Sequence, residues 1–389
     1  MQLLTWAALL PLALAAPVIQ PRAAQLIPGN YIVKLKDGAS ESTLQNAIGH
    51  VKTGGAKHVY RAGRFKGFAA KLSPQVLDAV SKLPEVDYIE QDAIITAYGG
   101  VTQTDNVPWG LARISHRTTG ATSYVYDDTA GEGTCSYIID TGIYVAHSQF
   151  QGRATWLANF IDTSNTDGAG HGTHVAGTVG GSTYGVAKKT QLFAVKVLNA
   201  SGSGTISSVL AGIDFVASDA ANRTAAGQCP KGSVANMSLG GGKSDAINSA
   251  AAAAVRAGVF FAVAAGNSGD DAKYYSPASE PSVCTVGATD VQDVIAYFSN
   301  YGAGVDVFAP GVDVLSSWIG GVDQTNTISG TSMASPHIAG LGAYLLGLLG
   351  PKTPAELCQY LKDTATLGTI TNLPSGTINA IGFNGNPNA

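Results

Sequence analysis

The larger part of the chain alternates short apolar runs with longer stretches of alanine and other small residues. The runs are rich in β-branched and aromatic residues, which predicts strands, and the stretches between them predict helices. Continuous apolar strands that alternate with helices are typical of an α/β fold, in which helices cover both faces of a parallel sheet. The predicted strands are CSYIIDTGI, QLFAVKVLN, SVANMSL, GVFFAVAAGN and CTVGATD, and the predicted helices include ISSVLAGIDFVASDA and AINSAAAAAVRAGV.

The front of the chain has a different pattern. Alternating apolar and polar positions predict strands in NYIVKLKDG, GRFKGFAAKLS and VDYIEQDAIITAY, the last of which ends near Tyr98. Helices are predicted from Leu44 to Val51 and from Pro74 to Leu83, so this part is a small α+β unit. The next stretch, GGVTQTDNVPWG, is rich in glycine and polar residues, which predicts an exposed link between two units.

The two parts carry formal charge of opposite sign. Residues 17–101 have 10 Lys and Arg against 7 Asp and Glu, whereas residues 102–389 have 13 against 20. A basic front piece before an acidic domain favours a propeptide that docks on that acidic domain, with an ordinary permanent domain as the alternative. The overall formal charge of −4 provides no basic surface for a nucleic acid, and none is expected as a partner.

The first residues indicate export. An apolar run from Leu3 to Ala16 that ends in small residues predicts a secretory signal over residues 1–15. The run is too short to span a membrane, and no later run reaches about 18 apolar residues without glycine or charge. We therefore expect an extracellular protein without a membrane anchor. N-x-S/T motifs at Asn199 and Asn222 could accept glycans, whereas a third at Asn236 is expected to be buried.

The expected export also affects how the cysteines are interpreted. The chain has 4 cysteines and no CxxC motif, which favours disulfides over a metal cluster in an oxidising compartment. Three pairings are open from the sequence alone. The cysteines are Cys135, Cys229, Cys284 and Cys358.

Polar side chains stand at the ends of several predicted strands, which is where parallel α/β sheets bind ligands. Asp140 ends YIID, His171 lies in GAGHGTH before a helix, and Asn267 ends FFAVAAGN. Singly, these would be a turn aspartate, a capping histidine and a turn asparagine. Ser332, in GTSMASPH, is predicted at the N-terminus of a buried helix, because a proline four residues later is tolerated only in a first turn. It is either the cap of that helix or a nucleophile.

The four side chains together suit acyl transfer. A serine hydroxyl needs an imidazole to accept its proton, a carboxylate orients that imidazole, and an amide donor stabilises the oxyanion. Their motifs, IIDTGI, GHGTHVAGT, SLGGG, AAGN and GTSMASPH, resemble those of the subtilisin-like serine proteases, most closely the secreted fungal branch of proteinase K and oryzin. The resemblance covers the chain from residue 105 onward. Tyr31 to Asp92 resemble the inhibitor-type propeptide of the same family, through YIVKLKDG and VDYIEQD.

The resemblance implies a three-layer subtilisin-like fold with a mostly parallel sheet, preceded by a small α+β propeptide domain. It divides the chain into a signal, 1–15, an inhibitor-type propeptide, 16–101, and a peptidase domain, 102–389. The protein would be a secreted monomeric endopeptidase, made as an autoprocessed zymogen. Proteins and peptides would be its substrates, and its own propeptide would be a transient inhibitor.

The resemblance also implies roles for single residues. Ser332 would be the nucleophile, His171 rather than His174 the general base, Asp140 the orienting carboxylate and Asn267 the oxyanion donor. An extended peptide would lie between SGSGTIS and SLGGG, and small apolar walls imply a broad preference for apolar or aromatic residues before the cut. The expected substrate-binding residues are Gly202, Gly204, Ile206, Ser238, Leu239, Gly240, Gly241, Ala264, Ala265 and Gly266.

One structural calcium and no catalytic metal are implied as well. The carbonyls of Pro281 and Val283 and the carboxylate of Asp306 would hold the ion, and oxygen ligands suit calcium. A weaker second site of the family needs an aspartate where this chain has Thr369, so only one calcium is expected. The disulfides implied by the resemblance are Cys135–Cys229 and Cys284–Cys358.

Two other classes of function are alternatives. One is a catalytically inactive relative that binds proteins, and the other is a secreted inhibitor that acts through the front domain. An esterase of the α/β-hydrolase type is disfavoured, because Ser182, Ser203 and Ser268 lack the GxSxG spacing of a nucleophile elbow.

Overall fold

The computed structural model describes residues 15–20, 26–51, 55–93 and 100–386. It divides the chain into two compact units, Met1–Ala97 and Tyr98–Ala389. All of the expected signal except its last residue lies outside the described residues, and so does the predicted strand end near Tyr98.

The front unit is a five-stranded sheet with two helices. The three predicted strands and both predicted helices are present, and their apolar side chains form one buried cluster that includes Val33, Phe68 and Ile89. The first helix begins three residues before Leu44, because the Ser40 hydroxyl accepts a hydrogen bond from a first-turn amide and caps the helix there. The elements are β1 (Val18–Ile19), β2 (Leu26–Leu35), α1 (Glu41–Gly49), β3 (His58–Ala62), β4 (Phe65–Lys71), α2 (Pro74–Ser81) and β5 (Val86–Ala93).

The larger unit is built on a nine-stranded sheet. Its first elements are β6 (Gly100–Gln103), α3 (Trp109–Ile114), β7 (Tyr124–Asp127), β8 (Thr134–Asp140), β9 (Ala154–Asn159), α4 (His171–Gly180), β10 (Gln191–Lys196), α5 (Ile206–Ala225), β11 (Gly232–Met237), β12 (Gly241–Gly242), α6 (Asp245–Arg256) and β13 (Val259–Ala264). The rest are β14 (Tyr275–Ser276), β15 (Cys284–Thr289), β16 (Val307–Pro310), β17 (Val314–Ser317), β18 (Thr325–Ile328), α7 (Thr331–Leu349), α8 (Pro354–Thr364), β19 (Thr366–Leu367) and β20 (Ala380–Ile381).

The large sheet is parallel except at one edge, in the order β19-β20-β16-β15-β13-β11-β8-β10-β9. Alternate strand residues enter two different apolar clusters, as the two-residue period of a strand requires. Ile138 packs in the cluster that contains α4 and α7, whereas Tyr137 and Ile139 pack in the cluster that contains α5 and α6. Helices therefore cover both faces, and the predicted three-layer α/β fold is confirmed.

The stretch predicted as an exposed link is only partly a loop. Gly100–Gln103 forms an antiparallel ladder with Tyr124–Asp127 in the larger unit. Four residues of a glycine-rich polar stretch adopt a strand because a neighbouring strand supplies the hydrogen-bond partners, which a local pattern cannot reveal.

The helix α7 is the one described helix that is long and apolar enough to cross a membrane by length and composition, and 83% of its apolar window is buried. It runs through the core of the larger unit, where Ile338, Leu341 and Leu345 are buried. It therefore has the composition expected of a core helix.

Candidate active site

Asp140 and His171 form the charged centre of the site. Asp140 is the last residue of β8 and is fully buried, and its carboxylate accepts a hydrogen bond from the amide of Thr141 at 2.7 Å. His171 is the first residue of α4, and its Nδ1 lies 2.8 and 2.9 Å from the two Asp140 oxygens. The carboxylate is an acceptor only, so Nδ1 carries the proton and Nε2 is left as the basic nitrogen.

The environment of His171 changes its basicity. Burial lowers the pKa of the imidazole, but the charge of Asp140 and its hydrogen bond, helped by the charge of Asp167, outweigh burial. The pKa of His171 therefore lies above its ordinary value, and its charged form is stabilised.

A glycine makes this position of His171 possible. Gly170 caps α4 at φ +89°, a left-handed conformation, and a Cβ atom there would lie 2.5 Å from the Trp318 ring. Any larger residue would therefore meet both backbone strain and a steric clash just before the histidine.

Asp167 is a buried carboxylate that the sequence motifs did not reveal. It accepts hydrogen bonds from the Thr141 hydroxyl at 2.8 Å, from the amides of Ala169 and Gly170 at 3.0 and 2.8 Å, and from the amide and hydroxyl of Thr173 at 2.9 and 2.6 Å. One side chain thus joins the residue after Asp140 to the first turn of the helix that carries His171. The sequence feature that could have identified Asp167 is its position four residues before His171, the first residue of α4.

Ser332 is the second residue of α7, and it does not cap that helix. The N-cap is Gly330, which makes no side-chain capping bond, and the Ser332 hydroxyl donates instead to the carbonyl of Ser238 at 3.2 Å. The cap interpretation of Ser332 is therefore wrong. Within the described residues no hydrogen bond joins the Ser332 hydroxyl to His171, although both residues line one cavity.

The prediction that Pro336 lies in a first turn is also wrong, because it is the sixth residue of α7. A proline cannot donate to the carbonyl four residues earlier, which is that of Ser332. The hydroxyl of Ser238 donates to this carbonyl at 2.7 Å and so replaces the missing helical bond.

Asn267 follows β13 and is oriented by Thr331. Its Oδ1 accepts hydrogen bonds from the amide and the hydroxyl of Thr331, both at 2.8 Å. Because the oxygen is held by two donors, the Nδ2 group is directed away from them and can donate elsewhere. Thr331 is buried and is a second residue that the sequence motifs did not reveal.

His171, Asn267 and Ser332 line a cavity of about 770 Å³, and Asn267 and Ser332 also line a smaller one of about 190 Å³. Every residue expected to bind substrate lines one or both. The larger cavity contains Gly202, Gly204, Ile206, Ser238, Leu239, Gly240 and Gly241, and the smaller contains Leu239, Gly240, Gly241, Ala264, Ala265 and Gly266. Further lining residues that were not expected include Leu198, Val209 and Ile247 in the larger cavity and Tyr275 in the smaller.

Family models match both units. The model described as the subtilase family matches residues 131–383, and the model described as peptidase inhibitor I9 matches residues 30–98. This chain belongs to the subtilase family. It is a serine endopeptidase with an I9-type inhibitor domain at its front, and the expected activity is confirmed.

Whole-chain relatives agree with this assignment. The subtilase is 53% identical to a cuticle-degrading protease of Metarhizium anisopliae over 95% of this chain and 93% of that protein. It is 54% identical to the subtilisin-like serine protease AsES of Sarocladium strictum over 98% of both chains. It is also 51% identical to proteinase R of Parengyodontium album over 95% of this chain and 92% of that protein. Among solved structures, a cold-adapted subtilisin-like serine proteinase superposes with a TM-score of 0.67 at 43% identity, covering 72% of this chain and 99% of that one.

Two disulfides tie the subtilase domain together. The Cys135–Cys229 bond links β8 to the segment before β11, and the Cys284–Cys358 bond links β15 to α8. These are the two pairs that the resemblance implies.

Two other histidines of the subtilase are buried, and among the described residues each contacts a backbone carbonyl rather than a carboxylate. His174 Nε2 is 3.0 Å from the carbonyl of Val314, and His337 Nδ1 is 2.8 Å from the carbonyl of Met333. Burial lowers the pKa of His174 to about 4 and that of His337 to about 4, so both are neutral at pH 7.

The residues expected to hold calcium do not fit that ion in this arrangement. Both carboxylate oxygens of Asp306 are engaged, Oδ1 by the Lys362 ammonium at 3.1 Å and Oδ2 by the amide of Thr285 at 3.0 Å. An ammonium at the only charged ligand of the set would repel an incoming divalent cation. No step of the mechanism is therefore assigned to a metal.

Proposed function

We propose that Ser332 is the nucleophile of this serine endopeptidase, His171 its general base, Asp140 the carboxylate that orients the base, and Asn267 the oxyanion donor. The single observation that carries the proposal is the pairing of His171 Nδ1 with buried Asp140 at 2.8 Å, at the edge of the cavity that Ser332 and Asn267 also line. A buried carboxylate on Nδ1 fixes the tautomer that leaves Nε2 free to take a proton.

The reaction begins when the Ser332 hydroxyl changes its hydrogen-bond acceptor. Ser332 Oγ turns from the Ser238 carbonyl towards His171 Nε2, transfers its proton there and forms a bond to the carbonyl carbon of the substrate. The electron pair of the carbonyl moves to its oxygen, and the Asn267 Nδ2 group donates a hydrogen bond to that oxyanion. The charge of Asp140 stabilises the imidazolium, in line with the raised pKa of His171.

Collapse of the tetrahedral intermediate completes the first half-reaction. The oxyanion re-forms the carbonyl, the peptide C–N bond breaks, and His171 gives its proton to the departing amine. Water then attacks the acyl group on Ser332 in the same way, with His171 as the base. The products are a carboxylic acid and an amine.

The walls of the two cavities support a broad specificity. In the smaller cavity Ala264, Ala265 and Tyr275 offer apolar surface, which suits an apolar or aromatic side chain before the cut. In the larger cavity Gly202 and Gly204 allow the backbone of an extended peptide to approach closely.

We further propose that the protein is secreted as a monomeric zymogen, with a signal at 1–15, a propeptide at 16–101 and a peptidase domain at 102–389. The I9 match over residues 30–98 supports an inhibitory front domain. Exposed Asn222 on α5 is suited to carry a glycan, whereas Asn236 is buried and donates to Ser238.

The test is hydrolysis of casein by the purified protein, with and without a covalent reagent that modifies reactive serines. We expect turnover that the reagent abolishes, with the added mass on the peptide that contains Ser332. A binding protein without turnover would leave casein intact in both arms. Turnover that survives modification of Ser332 would contradict the assignment of the nucleophile.

A further inference from the structure

Asp306 is held in a fixed place beside a disulfide. It lies immediately before β16, where its own amide donates to the Thr285 carbonyl at 2.9 Å and its Oδ2 accepts from the Thr285 amide at 3.0 Å. The sulfur atoms of Cys284 and Cys358 and a carboxylate oxygen of Asp306 lie within 4.8 Å of one another. The carboxylate is mostly buried, with 23% of its side chain exposed, and therefore needs a positive partner.

The positive partner is the ammonium of Lys362, whose helix α8 is held in place by a disulfide and by core packing. It lies one helical turn after Cys358 on α8, so the two side chains share a face of the helix. The disulfide fixes this face against β15, and Leu357 and Leu361 bury the neighbouring face in the core. The ammonium of Lys362 reaches Asp306 Oδ1 at 3.1 Å, with 27% of the lysine side chain exposed.

A calcium ion and this ammonium would compete for the same carboxylate. Calcium takes 6–8 oxygen ligands at about 2.3–2.6 Å, so it would have to lie against Asp306 and within a few ångströms of the lysine charge. The carbonyls of Pro281 and Val283 carry no net charge and could not offset that repulsion alone.

A basic side chain also contacts Thr369, the position at which the related proteases carry the aspartate of their second, weaker calcium site. Thr369 accepts a hydrogen bond from Arg113 at 3.3 Å, and Arg113 is itself paired with buried Asp293 at 2.7 and 2.8 Å. Nearby, Arg117 donates to the carbonyl of Ala365 at 2.9 Å. Here too the chain supplies its own cation to the segment around β19.

We propose that Lys362 is a built-in cation that replaces calcium at Asp306, and that removal of its ammonium converts Pro281, Val283 and Asp306 into a calcium site. The thermal stability of the natural protein is then independent of calcium.

The test measures calcium binding and thermal unfolding in a full-length Ser332→Ala background, where self-digestion cannot contribute. Calorimetric titration with calcium chloride is combined with Tm measured in calcium and in chelator. With Lys362 present we expect no binding heat and the same Tm in both solutions. With Lys362→Ala we expect saturable binding and a Tm that calcium raises by at least about 3 °C.

Two controls localise the effect. Lys352→Ala removes an equal charge just before α8, from a side chain that lies over Tyr360 rather than on Asp306, and it should create no calcium response. Adding Asp306→Asn to Lys362→Ala should abolish the response. If Lys362→Ala fails to fold, Lys362→Gln replaces it.

Either of two results would overturn the proposal. One is calcium binding by the protein that retains Lys362, with a Tm increase that Asp306→Asn abolishes. The other is a folded Lys362→Ala or Lys362→Gln protein that neither binds calcium nor gains stability from it.

Discussion

Replacement of Asp167 by asparagine is the most informative change near the active site, because this residue is absent from the cavity wall. Asparagine keeps one oxygen, which can still accept from the Thr141 hydroxyl and from the amides of Ala169 and Gly170. Its amino group, however, faces the amide and hydroxyl of Thr173, both of which donate to Oδ2. The hydroxyl can rotate, but the Thr173 amide is left without an acceptor.

The size of the effect follows from these contacts. Loss of hydrogen bonds to a buried charged group costs about 1.5–3 kcal/mol each, so we expect a loss of about 2–4 kcal/mol in the free energy of unfolding. In a domain of this size that corresponds to a fall in Tm of roughly 5–10 °C. Because the first turn of α4 carries His171, we also expect kcat to fall by about ten- to a hundred-fold, with KM little changed.

The pH profile separates positioning from general destabilisation. The charge of Asp167 helps to raise the pKa of His171, so its loss lowers that pKa. Only neutral His171 accepts the proton, and the acid limb of kcat/KM should therefore move to lower pH in Asp167→Asn.

The control is Asp214→Asn. Asp214 is an exposed aspartate on α5, and its replacement is expected to leave both Tm and the acid limb nearly unchanged. If Asp167→Asn behaved like this control in Tm, kcat and pH profile, the positioning role of Asp167 would be refuted.

Three further predictions concern the oxyanion donor, the disulfides and maturation. Asn267→Ala should lower kcat by about a hundred- to a thousand-fold in peptide hydrolysis, and a change of less than about threefold would remove it from the oxyanion hole. Peptide mapping without reduction should find Cys135 joined to Cys229 and no peptide that joins Cys135 to Cys284. The protein itself should cut its front piece off between Ala97 and Thr104. N-terminal sequencing should therefore find the Ser332→Ala chain uncut in that segment. Cleavage of that variant in a protease-deficient host would contradict self-processing.

Much of the fold could be predicted because its signals are local. The strand β13 is a continuous apolar run and β10 is apolar between its two ends, a composition that burial in a parallel sheet favours. The short strands β1 and β6 were missed, since each is stabilised by a partner strand distant in sequence rather than by its own residues. The strand β3 was also missed, although it pairs with the adjacent strand β4 across a short turn.

The residues of the candidate site that could be predicted are those that lie in recognisable sequence motifs. Asp140, His171 and Ser332 stand in short sequences with a recognisable order, whereas Asp167 and Thr331 act through hydrogen bonds to other residues. The pairing of Lys362 with Asp306 spans 56 positions, and only the folded chain brings the two together.

The central claim is that Ser332 performs the chemistry, and the most direct measurement is single-turnover and steady-state hydrolysis of a chromogenic peptide by Ser332→Ala from which the front piece has been removed. The control is Ser203→Ala, a serine that lines the same cavity. We predict that Ser332→Ala lowers kcat by about a million-fold while Ser203→Ala stays within a few-fold of the natural protein. Turnover by folded Ser332→Ala near that of the natural protein would contradict the account.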